Sequence, residues 1–580
     1  MSFVTGRHVS RIRGGAQPAA VALTVLVFAW PELSVAARGV AASYPIVTAA
    51  LTLLIVGVVV SWPHGDDSPR DRPISWSALG LVAVVAAAVV MIAVYRWTRL
   101  MAWQPYHADM LIVIREATRR FLNGHTPYAT YRSYDTTWDM AMPYGPVLWV
   151  PYVAPQLLRL DFRIVTIIGE VFAPIWCGVA GIVEACRGRI AAAIAWLGAL
   201  AALVLALDVQ GFTLIGHTPV YWPLLLLLAV TIRKRQWTEA ACLLGILVVA
   251  RTTMVTMVPV FVMAVWRADR RRAPAVLAVV TITIAVALAP FIAWDYRAIW
   301  ESMVLSYPRV MKAAVWPVLA RPGMETIGVT EWLLEQHREW LVTPVQIAAM
   351  VGVYAAAWAA IGRAHPLPWM ALALFAFSMT TLYPVHYLYY DVLLLLVCGA
   401  LAETLEAAPG CTSLKAWALS LIALAAVMFV AVGTVASPFP RVAAGQVSGD
   451  RPFRAGFAAS ERDGSRDFSW IVGSDARIVL PRSSAAAADI VLTAQSPFDD
   501  EQPPQRMAAI LNGTLLTETT VPAGWQEIRI AAPRSAWWIG FNELRLVFSS
   551  TVSPRAAGAG DDPRPLALGL SRVDVVKRKK

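Results

Sequence analysis

The sequence predicts an α-helical polytopic membrane protein of about thirteen transmembrane helices that ends in an all-β sandwich. Three observations carry this. Of 580 residues, 58% are hydrophobic and only 15% are charged, against roughly 45–50% and 25% in soluble domains. The apolar residues gather into long runs punctuated by short arginine clusters. After Pro438 those runs give way to short segments that alternate with period two.

A helix needs about 20 apolar residues to cross a bilayer. Candidate segments lie near 18–40, 45–62, 76–99, 163–185, 189–207, 218–233, 238–250, 253–266, 273–293, 342–362, 367–382, 388–407 and 414–437, several of them short by that criterion. The opening stretch, Met1 to Ala42, resembles a secretory signal. It reads as a retained first helix because the next apolar segment follows at once. With the N-terminus in the cytoplasm, alternate crossing places four basic clusters on one side. They are Arg70 with Arg72, Arg187 with Arg189, Arg233-Lys234-Arg235, and Arg267 with Arg270-Arg271-Arg272. Arg363 and Lys415 fall there too. This is the positive-inside pattern. The formal charge of +11 therefore calls for no nucleic-acid partner, which would want one continuous basic face.

The same parity puts three regions outside the cell membrane. Residues Trp103 to about Tyr144 come first, followed by Pro143–Leu158, a short proline-rich stretch read as an interfacial or re-entrant helix. The connection Asp295 to Pro344 is the second, and everything after Ser437 the third. The organisation expected is thus 1–437 transmembrane, 438–465 linker, and 466–580 an extracytoplasmic sandwich. Strands are expected at Phe468–Val472, Ala476–Leu480, Ile490–Ala494, Met507–Leu511, Glu527–Ile530, Leu544–Phe548 and Leu568–Val575. Asn512-Gly513-Thr514 matches a glycosylation sequon, yet Asn-Gly as a hairpin turn is the simpler reading. The five cysteines, Cys177, Cys186, Cys242, Cys398 and Cys411, lack zinc-ligand spacing and read as small buried hydrophobes.

Several polar residues stand out from this apolar background. Asp109 precedes the amphipathic stretch Leu111–Leu122, which alternates Ile and Leu with Arg and Glu and should lie flat on the membrane. An acid there faces the space between bilayer and loop, although a solvated flank is the plainer alternative. Arg251 interrupts an apolar run between Val249-Ala250 and Met254 at the outer end of a helical hairpin. Arginine in such a place is costly and is normally functional or partnered, with a structural salt bridge or plain snorkelling as the alternative. Arg309, Lys312 and Arg321 occupy the second outer loop, where an exposed charge is the plainer reading. His217 sits in Gly216-His217-Thr218-Pro219, where a turn would explain it, and His107 is close enough to Asp109 to tune it. The sandwich carries Trp525, Trp537 and Trp538 with Asn542, which look exposed and suited to stacking on sugar rings. A core-filling role is the plainer alternative. No Gly-rich phosphate loop, HExxH, CxxC or Gly-x-Ser-x-Gly signal is present.

An extracytoplasmic Asp109 after an early helix is followed by a membrane-lying helix ending in Gly124-His125-Thr126-Pro127-Tyr128. Tyr144-Gly145-Pro146 then opens the next apolar segment, the break at Arg251 comes later, and Pro384 and His386 follow. In that order these features resemble the GT-C class of integral membrane glycosyltransferases, most nearly glycosyltransferase family 87, which includes polyprenol-phosphate-mannose-dependent mannosyltransferases. The resemblance covers about residues 75–400. It implies a lipid-linked sugar phosphate donor, a glycan or glycolipid acceptor, and inversion at the anomeric carbon. It implies Asp109 as the general base, since an attacking hydroxyl must lose its proton. A phosphate leaving group needs positive charge and donors, which points to Arg251 first and to Arg309 and Lys312 after it. A histidine at the place of His386 lies near the donor phosphate in this family, so His386 is assigned donor binding or proton handling. Tyr128, Tyr144, His107 and His217 are expected around the substrate cavity. No cofactor is implied. Many GT-C enzymes carry two adjacent acids where Asp109 stands alone, and a divalent cation is left as the lesser alternative. The resemblance places the protein in the cytoplasmic membrane with its chemistry at the outer face, in contact with membrane lipids and serving the cell envelope. Two other classes compete: a glycan polymerase or ligase with a lipid-diphosphate donor, and a transporter of a lipid-linked glycan, which would tend to show broken helices at matching places in two halves.

Overall fold

A computed structural model describes residues 55, 57, 80, 84–89, 91–92, 94–95, 109–132, 139–187, 189–205, 216–310, 328–361, 365–382, 388–406, 441–443, 454–464, 466–497, 504–540, 542–558 and 560–578. The expected spans 18–40 and 414–437 lie outside these residues, 45–62 almost entirely so, and of 76–99 the described positions 80, 84–89, 91–92 and 94–95 are helical.

After those early helical positions come α1 (Asp109–Leu122), a two-stranded ribbon of β1 (Thr130–Arg132) and β2 (Asp139–Ala141), then α2 (Pro146–Trp149) and α3 (Val153–Leu158), joined by a 3-10 turn. Long and short helices follow: α4 (Arg163–Cys186), α5 (Ile190–Leu205), α6 (Trp222–Arg233), α7 (Trp237–Ala250), α8 (Val258–Ala268), α9 (Arg272–Ile299), α10 (Ser306–Val310), α11 (Val329–Glu335), α12 (Val342–Ala360), α13 (Pro366–Thr380) and α14 (Tyr389–Glu406). Helix α14 is the axis of the bundle. It packs on α4, α6 and α13, and every residue from Tyr389 through Ala402 is buried.

Thirteen spans are not what the described residues show. Three helices among them are long and apolar enough to cross a membrane: Arg163–Cys186, Arg272–Leu305 and Glu339–Ala360. Five shorter apolar helices accompany them. The physical reason lies in the breaks. An apolar run in sequence ends as helix wherever the chain turns into 3-10 geometry or meets proline, as at Thr218–Tyr221 and Thr252–Met257. Helix α7, with 14 residues, is about 21 Å long at 1.5 Å per residue, short of a hydrocarbon core of about 30 Å.

Burial separates the interior from the rim. In Arg163–Cys186 the apolar window is 72% buried inside the protein, whereas in Arg272–Leu305 and Glu339–Ala360 it is 11%. Leu277, Ile282, Val286 and Ile292 of α9, with Ile347 and Val351 of α12, are exposed apolar side chains. Such faces call for lipid. Aromatics border them at both ends: Trp294, Tyr296, Trp300 and Trp340 at one, Trp266 and Trp358 at the other. At the second end the Arg267 guanidinium lies 4.6 Å from the Trp358 ring centre and that of Arg270 lies 5.8 Å from Trp266. Trp340 and Trp358 are separated by about 27 Å along the helix, which matches a bilayer core bounded by two aromatic belts. Asp295, in extended conformation, ends the straight part of α9, and its carboxylate accepts from the Ala298 N–H at 3.0 Å as a cap on the next turn.

The C-terminal part is a β-sandwich of two antiparallel sheets. One has the order β10 (Thr514–Val521), β9 (Gln505–Leu511), β12 (Glu543–Phe548), β7 (Asp475–Val479), β4 (Arg454–Ala455). The other runs β11 (Gln526–Ala532), β8 (Ala488–Gln495), β13 (Leu566–Lys577), β6 (Arg466–Val472), β5 (Phe457–Asp463), with β3 (Arg441–Ala443) also paired to β13. The inward residues of alternating strands, such as Met507, Ala509 and Leu511 of β9 and Leu544, Leu546 and Phe548 of β12, form its core. All seven expected strands are present. The sheets begin inside the stretch expected to be a linker, because β3, β4 and β5 fall within 438–465. Strand β10 was likewise not expected. Asn512 (φ 51°) and Gly513 (φ 84°) form the two-residue β9–β10 hairpin turn, where positive φ at both positions suits Asn-Gly.

The sandwich rests on the helical part. Arg115 of α1 donates to Glu543 Oε2 at 2.7 Å, and Arg477 of β7 donates to Glu543 Oε1 at 3.1 Å. The Ile539 N–H donates to the Arg159 carbonyl at 2.9 Å, next to a parallel bridge between Leu160 and Ile539. Leu111, Val113, Ile114 and Ala117 of α1 are buried in the helical core. Helix α1 is therefore held between two protein layers along its length.

Candidate active site

Three segments converge where α7 breaks off. After Ala250 the chain leaves helical geometry, and Arg251 is extended (φ −145°, ψ 114°) before a 3-10 turn leads into α8. The Tyr144-Gly145-Pro146 segment reaches this break because residue 145 is glycine: a Cβ there would sit 1.9 Å from the Val249 carbonyl oxygen. The segment His217–Tyr221 reaches it for the same reason, since a Cβ on Gly169 of α4 would sit 2.0 Å from the Pro219 carbonyl oxygen. Helix α14 brings the fourth component, Asp391.

Arg251 Nη1 lies 3.0 Å from Asp391 Oδ2 and donates to the Tyr221 hydroxyl at 2.7 Å and to Thr218 Oγ1 at 3.5 Å. Tyr221 donates in turn to Asp391 Oδ2 at 2.8 Å, and Trp222 Nε1 donates to Asp391 Oδ1 at 3.2 Å. Both carboxylate oxygens are thus engaged. The Arg251 side chain is 15% exposed and that of Asp391 2%. A carboxylate this deep persists as an anion only if paired and hydrogen-bonded. Asp391 balances Arg251 and, with Tyr221, fixes its orientation. It is a positioning residue, with both carboxylate oxygens already engaged by donors.

His217 lies beside this cluster. Its ring meets the Tyr144 ring edge-on, with centres 4.1 Å apart. Burial, and then the neighbouring Arg251 charge, push its pKa down, so the imidazole is neutral at pH 7. The loop that carries it is clamped: Thr166 Oγ1 donates to the Gly216 carbonyl at 3.1 Å and is itself 2.6 Å from the Tyr152 hydroxyl.

The structure thus gathers three of the sequence-expected residues, Arg251, Tyr144 and His217. It places Tyr128 elsewhere, fully buried in an aromatic cluster, 5.8 Å from the Phe291 ring and accepting from Trp149 Nε1 at 3.5 Å. Packing between the segment that follows α1 and Phe291 of α9 accounts for that position. Arg309 also stands apart, in an exposed ion pair with Glu301 (64% and 56% exposed). Asp109 is the first residue of α1, and its side chain lies outside the described part. His107, Lys312 and His386 lie outside the described residues altogether. Among the described residues, no group of three His, Cys, Asp or Glu side chains could hold a metal ion. Asp391, Tyr221, Trp222 and Thr218 were not singled out from the sequence. An acid opening an apolar segment resembles a solvated flank, and the one available signal was its position among aromatics in Tyr389-Tyr390-Asp391.

Among the sandwich aromatics, the core-filling alternative holds for Trp537. Trp537 is buried in the core beneath the Arg482 guanidinium, 4.1 Å from its ring centre. Asn542 is buried as well, accepting from Trp538 N–H and Asn512 Nδ2 and donating to the Trp538 carbonyl. Trp525 is half-buried, donates to Asp463 at 2.9 Å, and carries Arg466 4.8 Å from its ring centre.

No protein-family model matches the sequence, and no curated protein matches it. Among solved structures, the chain is similar to the C-terminal CBM6 of LamC, a marine laminarinase from Zobellia galactanivorans, over 24% of this chain and 99% of that one, at 12% identity and a TM-score of 0.16. It is also similar to a glycoside hydrolase family 43 arabinoxylan arabinofuranohydrolase from Bacillus subtilis, solved with cellotetraose, over 25% of this chain and 28% of that one, at 14% identity and a TM-score of 0.17. At such scores neither likeness bears on what this chain does.

Proposed function

We propose that this protein is an inverting glycosyltransferase of the GT-C class, multi-pass in the cytoplasmic membrane. It moves a hexose such as mannose from a polyprenyl-phosphate donor to a glycan or glycolipid acceptor at the outer face. One observation supports this above the rest: a half-buried, oriented arginine at a broken helix, Arg251, paired with the buried Asp391 and with Thr218, Tyr221, Tyr144 and His217 around it. A buried ion pair is seldom needed for stability, since apolar residues of similar volume serve folding as well. The guanidinium therefore suits a use beyond folding, and its planar bidentate donors match a phosphate.

In this reading Asp109 accepts the proton of the acceptor hydroxyl as the new oxygen–C1 bond forms. The bond from C1 to the phosphate oxygen breaks with inversion, and its electron pair leaves on the polyprenyl phosphate. Arg251 stabilises that leaving phosphate, already held in place by Asp391 and Tyr221, so little reorganisation is required during the reaction. The basic end of α8 and α9 then faces the cytoplasm. His386 and Lys312 are assigned to the donor side with Arg251.

The test is transfer from a radiolabelled polyprenyl-phosphate sugar by the purified protein. Asp109→Asn should lower the rate by about 10²–10⁴-fold, the range for loss of a general base, with donor binding kept. Wild-type transfer by that variant removes Asp109 from the role.

A further inference from the structure

His217 has an unfilled capacity that the cluster around it lacks. Only 6% of the residue is exposed, and neither Nδ1 nor Nε2 has a hydrogen-bond partner. A neutral imidazole carries one N–H donor and one lone pair, and buried polar atoms in folded proteins are paired in roughly nine cases of ten. Two orphaned atoms on one ring are therefore uncommon, and a slack loop is not the cause. The ring is fixed against Tyr144, the Val220 N–H donates to the His217 carbonyl at 3.1 Å, and Pro219 is pressed against Gly169.

The ligand chemistry can be narrowed. A metal ion would satisfy the lone pair, but the Arg251 charge beside the ring opposes a cation. A phosphate oxygen only accepts, and Arg251 is the stronger donor next door. A hydroxyl both donates and accepts, so it can meet either ring nitrogen. Residue 218, directly after the histidine, already touches Arg251, with 3.5 Å between Thr218 Oγ1 and Nη1. A phosphate held at Arg251 would therefore carry its sugar toward His217.

We propose that His217 hydrogen-bonds a hydroxyl of the sugar carried by the lipid-phosphate donor and so determines which sugar is accepted, an inference that rests on the function proposed above. A site built to bond a hydroxyl rejects an analogue lacking it, because its own polar atoms are then left unpaired.

The experiment uses the full-length protein and a set of polyprenyl-phosphate sugars in which one ring hydroxyl at a time is replaced by hydrogen. For wild type, one deoxy donor should lose about 5- to 150-fold in kcat/KM, the equivalent of one such unpaired group. His217→Phe keeps the aromatic edge on Tyr144 and removes both nitrogens. It should lower kcat/KM for the full sugar by a similar factor and leave the deoxy donor unchanged, erasing the difference. His217→Asn, which keeps a donor and an acceptor, should restore part of it. If His217→Phe is folded and still discriminates against that donor, the proposal fails. A wild-type enzyme that transfers every deoxy sugar as well as the parent overturns it without any variant, even should the variants not fold. If wild type transfers none of these sugars, the glycosyltransferase reading itself is wrong and the inference goes with it.

Discussion

Two arginine–carboxylate clusters, one at the break after α7 and one between α1 and the sandwich, use the same chemistry to different ends. At the first, one arginine meets one aspartate, and tyrosine, tryptophan and threonine complete the shell. At the second, Glu543 is shared by Arg115 and Arg477. Burial alone would raise the Glu543 pKa, but the two guanidinium groups more than offset this and hold it below the usual glutamate range. The first cluster stands on backbone that has left regular structure, beside a histidine with both nitrogens unfilled. The second joins a helix to two strands. Charges shared between regular elements are joints between layers. Oriented charges at a helix break, next to an unfilled polar group, mark a place prepared for a ligand.

The sharpest way to break this contrast is at Arg251. Arg251→Ala strands Asp391 in the core and should destabilise the protein by about 3–5 kcal/mol, whereas Arg251→Met with Asp391→Leu should cost little. Thermal unfolding in detergent measures both. Under the proposed function, the double variant should be folded and unable to bind donor. If it binds donor as wild type does, the first cluster is a joint like the second.

Glu543→Ala comes next, at about 1.5–3 kcal/mol for lost hydrogen bonds to charged groups. It should appear as faster amide exchange along α1, without loss of either separate core. The pH dependence has a definite sign. Because the folded-state pKa of Glu543 is lowered, its contribution is complete above the ordinary glutamate value of about 4.3 and is lost as pH falls through the lower folded value. Exchange in α1 should rise on acidification below that point and should lose this dependence in Glu543→Ala. Arg309→Ala is the smallest effect, within about 0–1 kcal/mol, as for other exposed ion pairs. Sugar transfer should be unchanged, and a large loss of activity would return Arg309 to the donor site.

What could be read in advance depended on whether a residue's role is set by its neighbours in sequence. Strands β9, β11 and β12 were visible because burial on one side imposes period two, and β8 and β13 because runs buried on both faces are apolar throughout most of their length. Strands β5 and β10 were not, because both lie at sheet edges and carry mostly polar residues, Phe457–Asp463 and Thr514–Val521. Arg251 stood out because a charge inside an apolar run is conspicuous anywhere. Asp391 did not, for its partner Tyr221 is 170 positions away.

Composition and period alone determined that this chain has an apolar helical part, a β-sandwich after it, and an arginine that must be accounted for. Hydrophobic burial follows from residue type and spacing, so local pattern suffices. Only the tertiary structure decided that Arg251 meets Asp391, that His217 is buried without a partner, and that α1 lies between bundle and sandwich. Hydrogen bonds and ion pairs act over about 3 Å, and which groups come that close is set by the packing of distant segments, here through bare glycine contacts at Gly145 and Gly169.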